Sequence, residues 1–312
     1  MRTLETAGGL ETVTCALCDS RWTRICYRKF GLPIVACLRC GLVFANPRPP
    51  RKRVWQRYSA RYFEREYLPA RGVVNGHIDL PYFDVKYASL LARLDATVGK
   101  GRLFEIGAGD GLFLAAARRA GWTVSGIELS PAAVAFCRDR LHLDVTECLA
   151  EDIPLDLPPF DAVAMFDVIE HLFDPMQTLA TVRRLLRPGG VLVLTTPNYR
   201  ALSRRALGAQ WSVLNPFEHL FYFTEKTLAR ALGRYGFGDI AFDRHYSGTV
   251  QDTMNPKSTH EPDSRRARWY DAWVSACGPR RHWFIQSAGL GDLLFATARA
   301  NETPGESRAE RG

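Results

Sequence analysis

The chain has 312 residues, 46% of them hydrophobic and 24% charged, enough apolar material for a sizeable core in one or two domains. No apolar run approaches the roughly 18 residues of a membrane span, and no basic-then-apolar leader opens the sequence. A membrane-spanning or secreted protein is therefore not expected, and the cytoplasm is the expected compartment. The formal charge of +8 invites an anionic partner, but 35 of the 41 basic residues are arginine, so the charge is judged by where arginines cluster.

Residues 1–50 are cysteine-rich and end at the "NPRPP" break, Asn46 to Pro50, which continues neither helix nor strand. Cys15 and Cys18 form one Cys-x-x-Cys pair and Cys37 and Cys40 another, with Gly41 following. Two such knuckles predict a structural zinc ion closed by four thiolates. That site leaves no open position for chemistry, so the metal is expected to fold a module too small to stabilise itself. Cys26, Cys137, Cys148 and Cys277 lack the spacing and read as ordinary thiols.

Over residues 51–100 the pattern turns helical. Trp55, Tyr58 and Tyr62 recur on one face and Arg57, Arg61 and Arg65 on another, which predicts an amphipathic linker or lid. From residue 101 to about 300, short β-rich runs alternate with helical ones. "RLFEIG", "TVSGIEL", "DVTECLA", "FDAVAMFDV", "VLVLTTPN", "DIAFDRH" and "DLLFATARA" read as strands. The runs between them, and "RRARWYDAWVSA" near the end, read as helices. Such alternation predicts an α/β domain, a mostly parallel sheet with helices on both faces. Residues 246–283 are expected to form an acceptor-side insertion and 301–312 a frayed tail.

Gly107, Gly109 and Gly111 fall where the first of these strands hands over to a helix. A P-loop is excluded because no Gly-Lys-Ser/Thr follows, and the dinucleotide pattern fails at its third glycine, where Leu112 stands. The carboxylate of Glu105 beside the turn is a poor neighbour for pyrophosphate and a good one for an ammonium group. Glu128 ends the next strand, where an acid can accept from both ribose hydroxyls. "AEDIP", Ala150 to Pro154, offers an acid for an adenine amino group. A ligand with an amino-acid end, a ribose and an adenine but no phosphate is S-adenosylmethionine (SAM).

With "MFDVIEHLFDP" and "RPGG" following in order, the chain resembles the class I SAM-dependent methyltransferases. The resemblance implies a Rossmann-like seven-stranded sheet whose last strand is inserted antiparallel. It also implies that Gly107, Ala108, Gly109 and Gly111 line the methionine moiety, Glu128 and Leu129 the ribose, Asp152 and Ile153 the adenine, and Phe166 the region near the sulfonium.

The methyl of a sulfonium is already activated, so the enzyme has mainly to align an acceptor and, where needed, remove its proton. His171, in "VIEHLFDP", is read chiefly as ordering its loop, with catalysis as a second role. His219, in "NPFEHLFYFT", is the candidate general base. A double Cys-x-x-Cys module followed by a methyltransferase core and this segment resembles the sugar C-methyltransferases of antibiotic and polysaccharide pathways, whose Glu-His-x-x-Tyr-Phe-Ser-like segment is matched by His219 and Tyr222. Those enzymes continue into a further large C-terminal domain, whereas these 312 residues end after the last core strand. The expected acceptor is therefore widened to a small molecule of sugar, natural-product or quinone type, anionic and nucleotide-linked ones included, methylated on carbon or oxygen. Two alternatives stay open: an RNA methyltransferase using the arginine stripe and the cysteine module, and a non-catalytic SAM-binding or zinc-ribbon interaction protein. No Asn-Pro-Pro-Tyr or Asp-Pro-Pro-Tyr signature follows the fourth strand to support the first.

Overall fold

The computed structural model describes residues 1–7, 9–55, 59–73, 77–245 and 265–302. Five short strands come first: β1 (Thr3–Ala7), β2 (Leu10–Val13), β3 (Thr23–Lys29), β4 (Leu32–Cys37) and β5 (Val43–Ala45). Helical pieces follow: α1 (Arg51–Trp55), α2 (Ala60–Tyr62), a π-helical turn at Phe63–Tyr67, α3 (Leu68–Ala70) and the long α4 (Leu80–Val98). Asp79 caps α4 by accepting from Tyr82 N, and Pro81 in its first turn lacks only an N–H that would have been orphaned there.

Then come β6 (Arg102–Ile106), α5 (Leu112–Arg119), β7 (Thr123–Glu128), α6 (Pro131–Leu141), β8 (Val145–Glu147), β9 (Phe160–Phe166), α7 (Pro175–Leu185) and β10 (Leu186–Pro197). The chain continues through α8 (Leu202–Leu207), β11 (Phe221–Tyr222), α9 (Glu225–Arg234), β12 (Phe237–Phe242), α10 (Arg265–Ala276), α11 (Pro279–Ser287) and β13 (Leu293–Ala300).

Seven strands make one sheet in the order β12-β13-β10-β9-β6-β7-β8, and each overlaps a run that the sequence marks as a strand, although β12 starts at Phe237, where the preceding helix was expected to end. Strand β13 runs antiparallel to both β10 and β12, while the other pairings are parallel. Strand β10 starts at Leu186, earlier than its apolar run, because the "RPGG" segment joins the ladder through a register shift between Leu186 and Val191.

Alternation along each strand sends side chains to two cores. Leu103, Ala162, Ala164, Val191 and Val193 meet α4, α5 and α6, whereas Phe104, Val163, Met165, Leu192 and Leu194 meet α7 and α9. The small Ala162 and Ala164 let the helices of the first face come close to the sheet. The cysteine segment packs on the second face, where Cys15, Leu17, Val35 and Leu42 share a continuous core with Leu228 and Leu232 of α9.

One joint was not visible in the sequence. Strand β11 pairs with β5, Phe221 opposite Phe44 and Tyr222 opposite Val43, giving a second sheet of order β11-β5-β4-β3. The cysteine segment thus has its sheet completed by residues about 180 positions downstream. Buried Arg48 adds a clamp, donating to the carbonyl of Phe173 at 2.8 Å and pairing with Glu11 at 3.1 Å.

Part of the expected acceptor-side insertion, 246–264, lies outside the described residues, as do Arg57, Tyr58 and 303–312 of the tail. Among the described residues no helix is long and apolar enough to cross a membrane.

Candidate active site

A cavity of about 960 Å³ opens at the carboxyl ends of β6, β7 and β9 and is roofed by Val54, Trp55 and residues between Tyr62 and Gly72. A concave site of this size suits a cofactor with a small acceptor beside it.

Its floor is the glycine turn. Gly107 and Gly109 have φ of +74° and +54°, and a β-carbon at either would lie 2.5 Å from a neighbouring atom, Val168 Cγ2 for the first and the Tyr67 hydroxyl for the second. The turn is held by N–H groups of Gly107 and Ala108, which both donate to the carbonyl of Ile127 at 2.9 and 3.0 Å. Gly111 does another job. It sits off the cavity at the start of α5, where a β-carbon would meet Cys137 Sγ at 2.7 Å and Leu143 Cδ1 at 2.8 Å, so it allows α5 to pack rather than a ligand to approach.

Four carboxylates surround this turn, two of which the motif reading singles out. Glu128 accepts from the backbone N–H groups of Gly109, Leu129 and Ser130 at 2.8 to 2.9 Å, which ties β7 to the glycine loop. Burial nevertheless holds its carboxyl above the usual carboxylate range, against those hydrogen bonds. Glu105 is 3% exposed and its Oε2 has no hydrogen-bond partner. Burial first, then the neighbouring charge of Asp110, holds the Glu105 carboxyl well above the usual range. A buried, unpartnered carboxylate oxygen facing a cavity fits a ligand cation, and the ammonium of an amino-acid end is one.

The other two acids were not anticipated. Asp110 lies inside the glycine run, donates nothing, and accepts from Arg71 Nε at 2.8 Å; Arg71 Nη2 also donates to the Tyr87 hydroxyl at 3.0 Å. Asp167 follows β9 with φ +53°, faces the cavity and accepts from the Thr195 hydroxyl at 3.0 Å, while desolvation holds its carboxyl above the usual range. The available signals were an acid among glycines and an acid at a strand end, neither of which names a partner.

The roof is the helical segment read as a lid. Tyr62, Phe63, Tyr67 and Arg71 line the cavity, and the Phe63 ring stacks on Tyr67 at 5.7 Å. Arg61 and Arg65 are exposed, as are Glu64 and Glu66, whereas the aromatic side chains of this segment line the cavity. Leu129 and Phe166 lie on the wall, as the resemblance implies. Asp152 and Ile153 do not: Asp152 is exposed and Ile153 is buried in the core, while Cys148, Leu149, Ala150 and Glu151 face the cavity.

At the far end His171 reaches the cavity and His219 lies behind it, with ring centroids 4.7 Å apart. His171 Nδ1 bonds the carbonyl of Glu218 at 2.7 Å, and His219 Nδ1 that of Val213 at 2.7 Å. The segment is held by Leu220 and Phe221 N–H groups donating to the carbonyl of Glu170 at 2.8 and 3.1 Å. Tyr222 is 3% exposed, off the cavity, packed near Tyr199 with no partner for its hydroxyl, and burial holds that hydroxyl well above its ordinary value. The structure thus brings His171 and His219 together and sets the Tyr222 ring edge-on to His219 at 6.5 Å, while Tyr222 itself is buried in a core with Trp211 and Tyr270.

The four paired cysteines also converge. Cys15 Sγ lies 3.4 Å from Cys40 Sγ and Cys18 Sγ 3.5 Å from Cys37 Sγ, with all four sulfurs within 4.8 Å of one another. Tetrahedral thiolates around zinc stand about 3.8 Å apart, so the set fits that ion. The Cys15 thiol bonded to Cys40 pushes the latter down to about 5.

Comparison with known proteins agrees with this geometry. The family model described as "Methyltransferase domain" matches residues 81–241, just over half of the chain. Two curated relatives, ubiquinone biosynthesis O-methyltransferases of Cereibacter sphaeroides and a Caulobacter species, are each 33% identical over 117 and 118 residues, 35% of this chain and 47% of theirs. The chain thus spans about half the length of the curated relatives it matches. Among solved structures, a SAM-dependent methyltransferase from Archaeoglobus fulgidus superposes with a TM-score of 0.50 at 18% identity, covering 75% of this chain and 99% of the other. Phosphoethanolamine N-methyltransferase 2 of Haemonchus contortus, solved with SAM, gives 0.51 at 16% identity over 78% and 60%. With the seven-stranded order, the inserted antiparallel β13 and the glycine turn at the end of β6, the chain belongs to the methyltransferase domain family and has the class I SAM-dependent methyltransferase fold.

Proposed function

We propose that this protein transfers the methyl group of SAM to a small-molecule acceptor, and that the acceptor atom is an oxygen. The observation that carries the reading is one cavity with a glycine turn and the unpartnered Glu105 at one end and an imidazole at the other. Bound SAM would supply an activated methyl group. Glu105 would pair with its ammonium, Gly107 and Gly109 would make room for its methionine end, and Glu128 would receive the ribose hydroxyls. Leu149 to Glu151 would take the adenine edge that Asp152 and Ile153 are expected to serve from the motif.

His171 is the imidazole that faces the acceptor, and His219 orients it from behind; together they handle the acceptor's proton. The choice of oxygen leans on the relatives, whose names specify O-methylation. A zinc ion held by Cys15, Cys18, Cys37 and Cys40 would be structural, with a closed shell. The exposure of Arg61 and Arg65, with Tyr62 and Phe63 lining the cavity, favours a small acceptor over a stacked RNA strand.

Calorimetric titration with SAM, followed by radiolabelled methyl transfer to a panel of phenols, catechols, sugars and total RNA, tests the reading. Binding of SAM with label on a small hydroxylated acceptor is expected. Absence of SAM binding, or label on RNA alone, would overturn it.

A further inference from the structure

In the sequence, Arg48 is the middle residue of the "NPRPP" break and carries no other signal. In the fold it lies between β5 and α1, is 5% exposed, and joins the cysteine segment to the cavity wall. Its backbone is pinned to β2: the N–H of Arg48 donates to the carbonyl of Glu11 and the N–H of Glu11 to the carbonyl of Arg48, both at 2.9 Å. Its guanidinium closes on the same partner, with Nε and Nη2 each 3.1 Å from Glu11 Oε2. Taking a cation out of water is costly, and burial pulls the Arg48 guanidinium below its ordinary value while Glu11 opposes the shift.

Across from Glu11, Arg48 Nη1 donates at 2.8 Å to the carbonyl of Phe173, a residue 125 positions away that lines the cavity two residues after His171. Phe173 is held at two further points. Its N–H donates to Glu151 Oε1 at 3.2 Å, and its ring lies against two guanidinium groups, with Arg48 Cζ 4.6 Å and Arg51 Cζ 5.1 Å from the centroid. Arg51 Nη2 in turn stands 3.7 Å from Glu151 Oε1. Only a planar guanidinium can grip a carboxylate by one edge, donate to a carbonyl by another and lay its face on a ring. The glycine turn has its own supports, the Ile127 carbonyl and the Glu128 carboxylate, and shares none of this clamp.

We infer that Arg48 is a positioning residue for the acceptor: it fixes the Phe173 wall and, through it, the loop that carries His171. Arg48 does not itself line the cavity, so it acts through Phe173 and touches neither donor nor acceptor. The cysteine segment thereby sets the shape of the acceptor end. The inference rests on the methyl-transfer reading, because in-line transfer depends on alignment and a displacement of about 1 Å can cost about a hundredfold in rate.

The test uses the full chain carrying Arg48→Met or Arg48→Lys. Steady-state kinetics on whichever small acceptor takes most label are paired with hydrogen exchange followed by mass spectrometry. Arg48→Met should lower kcat/KM for that acceptor by at least about tenfold while SAM affinity stays within about threefold. Exchange over residues 168–174 should quicken by about tenfold and that over 105–111 should not change. Lysine keeps the charge and a donor for the Phe173 carbonyl, so Arg48→Lys should recover part of both effects. SAM titration reports folding, and Arg48→Lys carries the comparison if Arg48→Met does not fold. Parallel losses in acceptor kcat/KM and SAM affinity, or unchanged exchange over 168–174 in a folded variant, would overturn the positioning role and leave the methyl-transfer reading standing. Wild-type protein that binds SAM yet labels no small acceptor would overturn that reading, and the exchange comparison would still decide whether Arg48 holds the loop.

Discussion

The two ends of the cavity are built by different means. The donor end comes from one continuous stretch, β6 to the start of α6, in which the loop, the acid at the end of β7 and the supporting helix are local to one another. The acceptor end is assembled from β9, the His171 loop, the His219 segment and, through β11, the cysteine-bearing sheet. A local device withstands changes far away, while an assembled one passes them on. The donor end should therefore survive insults to the N-terminal sheet that disable the acceptor end.

The strongest way to break this comparison is to remove a thiolate. Cys40→Ser should cost several kcal/mol, because a structural metal contributes its binding energy to folding. Under conditions where the variant stays folded, methyl transfer should fall far more than SAM affinity. Equal losses in a paired titration and turnover assay would show that the two ends are not separable.

Next comes Asp292, which stands just before the cavity-lining Leu293 and accepts from the Ser203 hydroxyl in the protein interior. Burial pushes its carboxyl up to about 7. The folded state then binds a proton that the unfolded chain releases near pH 4, so stability falls as pH rises from about 4 to 7 and is level above that window. Asp292→Asn should remove up to roughly 2 to 4 kcal/mol of that slope and raise the melting temperature at pH 8. Parallel pH-melt curves of variant and wild type would count against it.

At the donor end, Gly107→Ala should weaken SAM binding by about ten- to a hundredfold, since φ of +74° and contact with Val168 strain any side chain there. Glu105→Gln should weaken it by about tenfold, the value of one charge-assisted pair. Burial favours the neutral Glu105 carboxyl, which must lose its proton to pair with an ammonium group. Wild-type affinity should therefore rise with pH and the Gln variant's should not; a pH-independent wild type would sink the pairing. The smallest effect belongs to Arg61→Ala with Arg65→Ala, both exposed, which should change neither end by more than about 0.5 kcal/mol.

The same contrast explains what could be read in the chain. The glycine turn, Glu105 and Glu128 were legible because contiguous residues dictate their own geometry, and the strands because alternating faces need alternating side chains. Asp152 and Ile153, expected from the motif, fall off the cavity because β8 is only three residues long and the following loop meets the cavity sooner, at Cys148 to Glu151. Tyr222 matched a motif, yet its two-residue strand exists only through pairing with Val43 and Phe44, and that pairing turns the ring into a core. Asp110 and Arg71 meet only once the roof folds down, so no spacing links them. Gly111 belongs to the motif by spacing and to helix packing by position.

Strand β11 also sets a timetable for synthesis. The four cysteines and β3 to β5 leave the ribosome early, but the free edge of β5 waits for Phe221 and Tyr222. At about 5 to 20 residues per second that interval lasts roughly ten to forty seconds. Through it the nascent sheet presents Val43 and Phe44 without their partner, and thiolates gathered between residues 15 and 40 can take up metal long before the acceptor pocket exists.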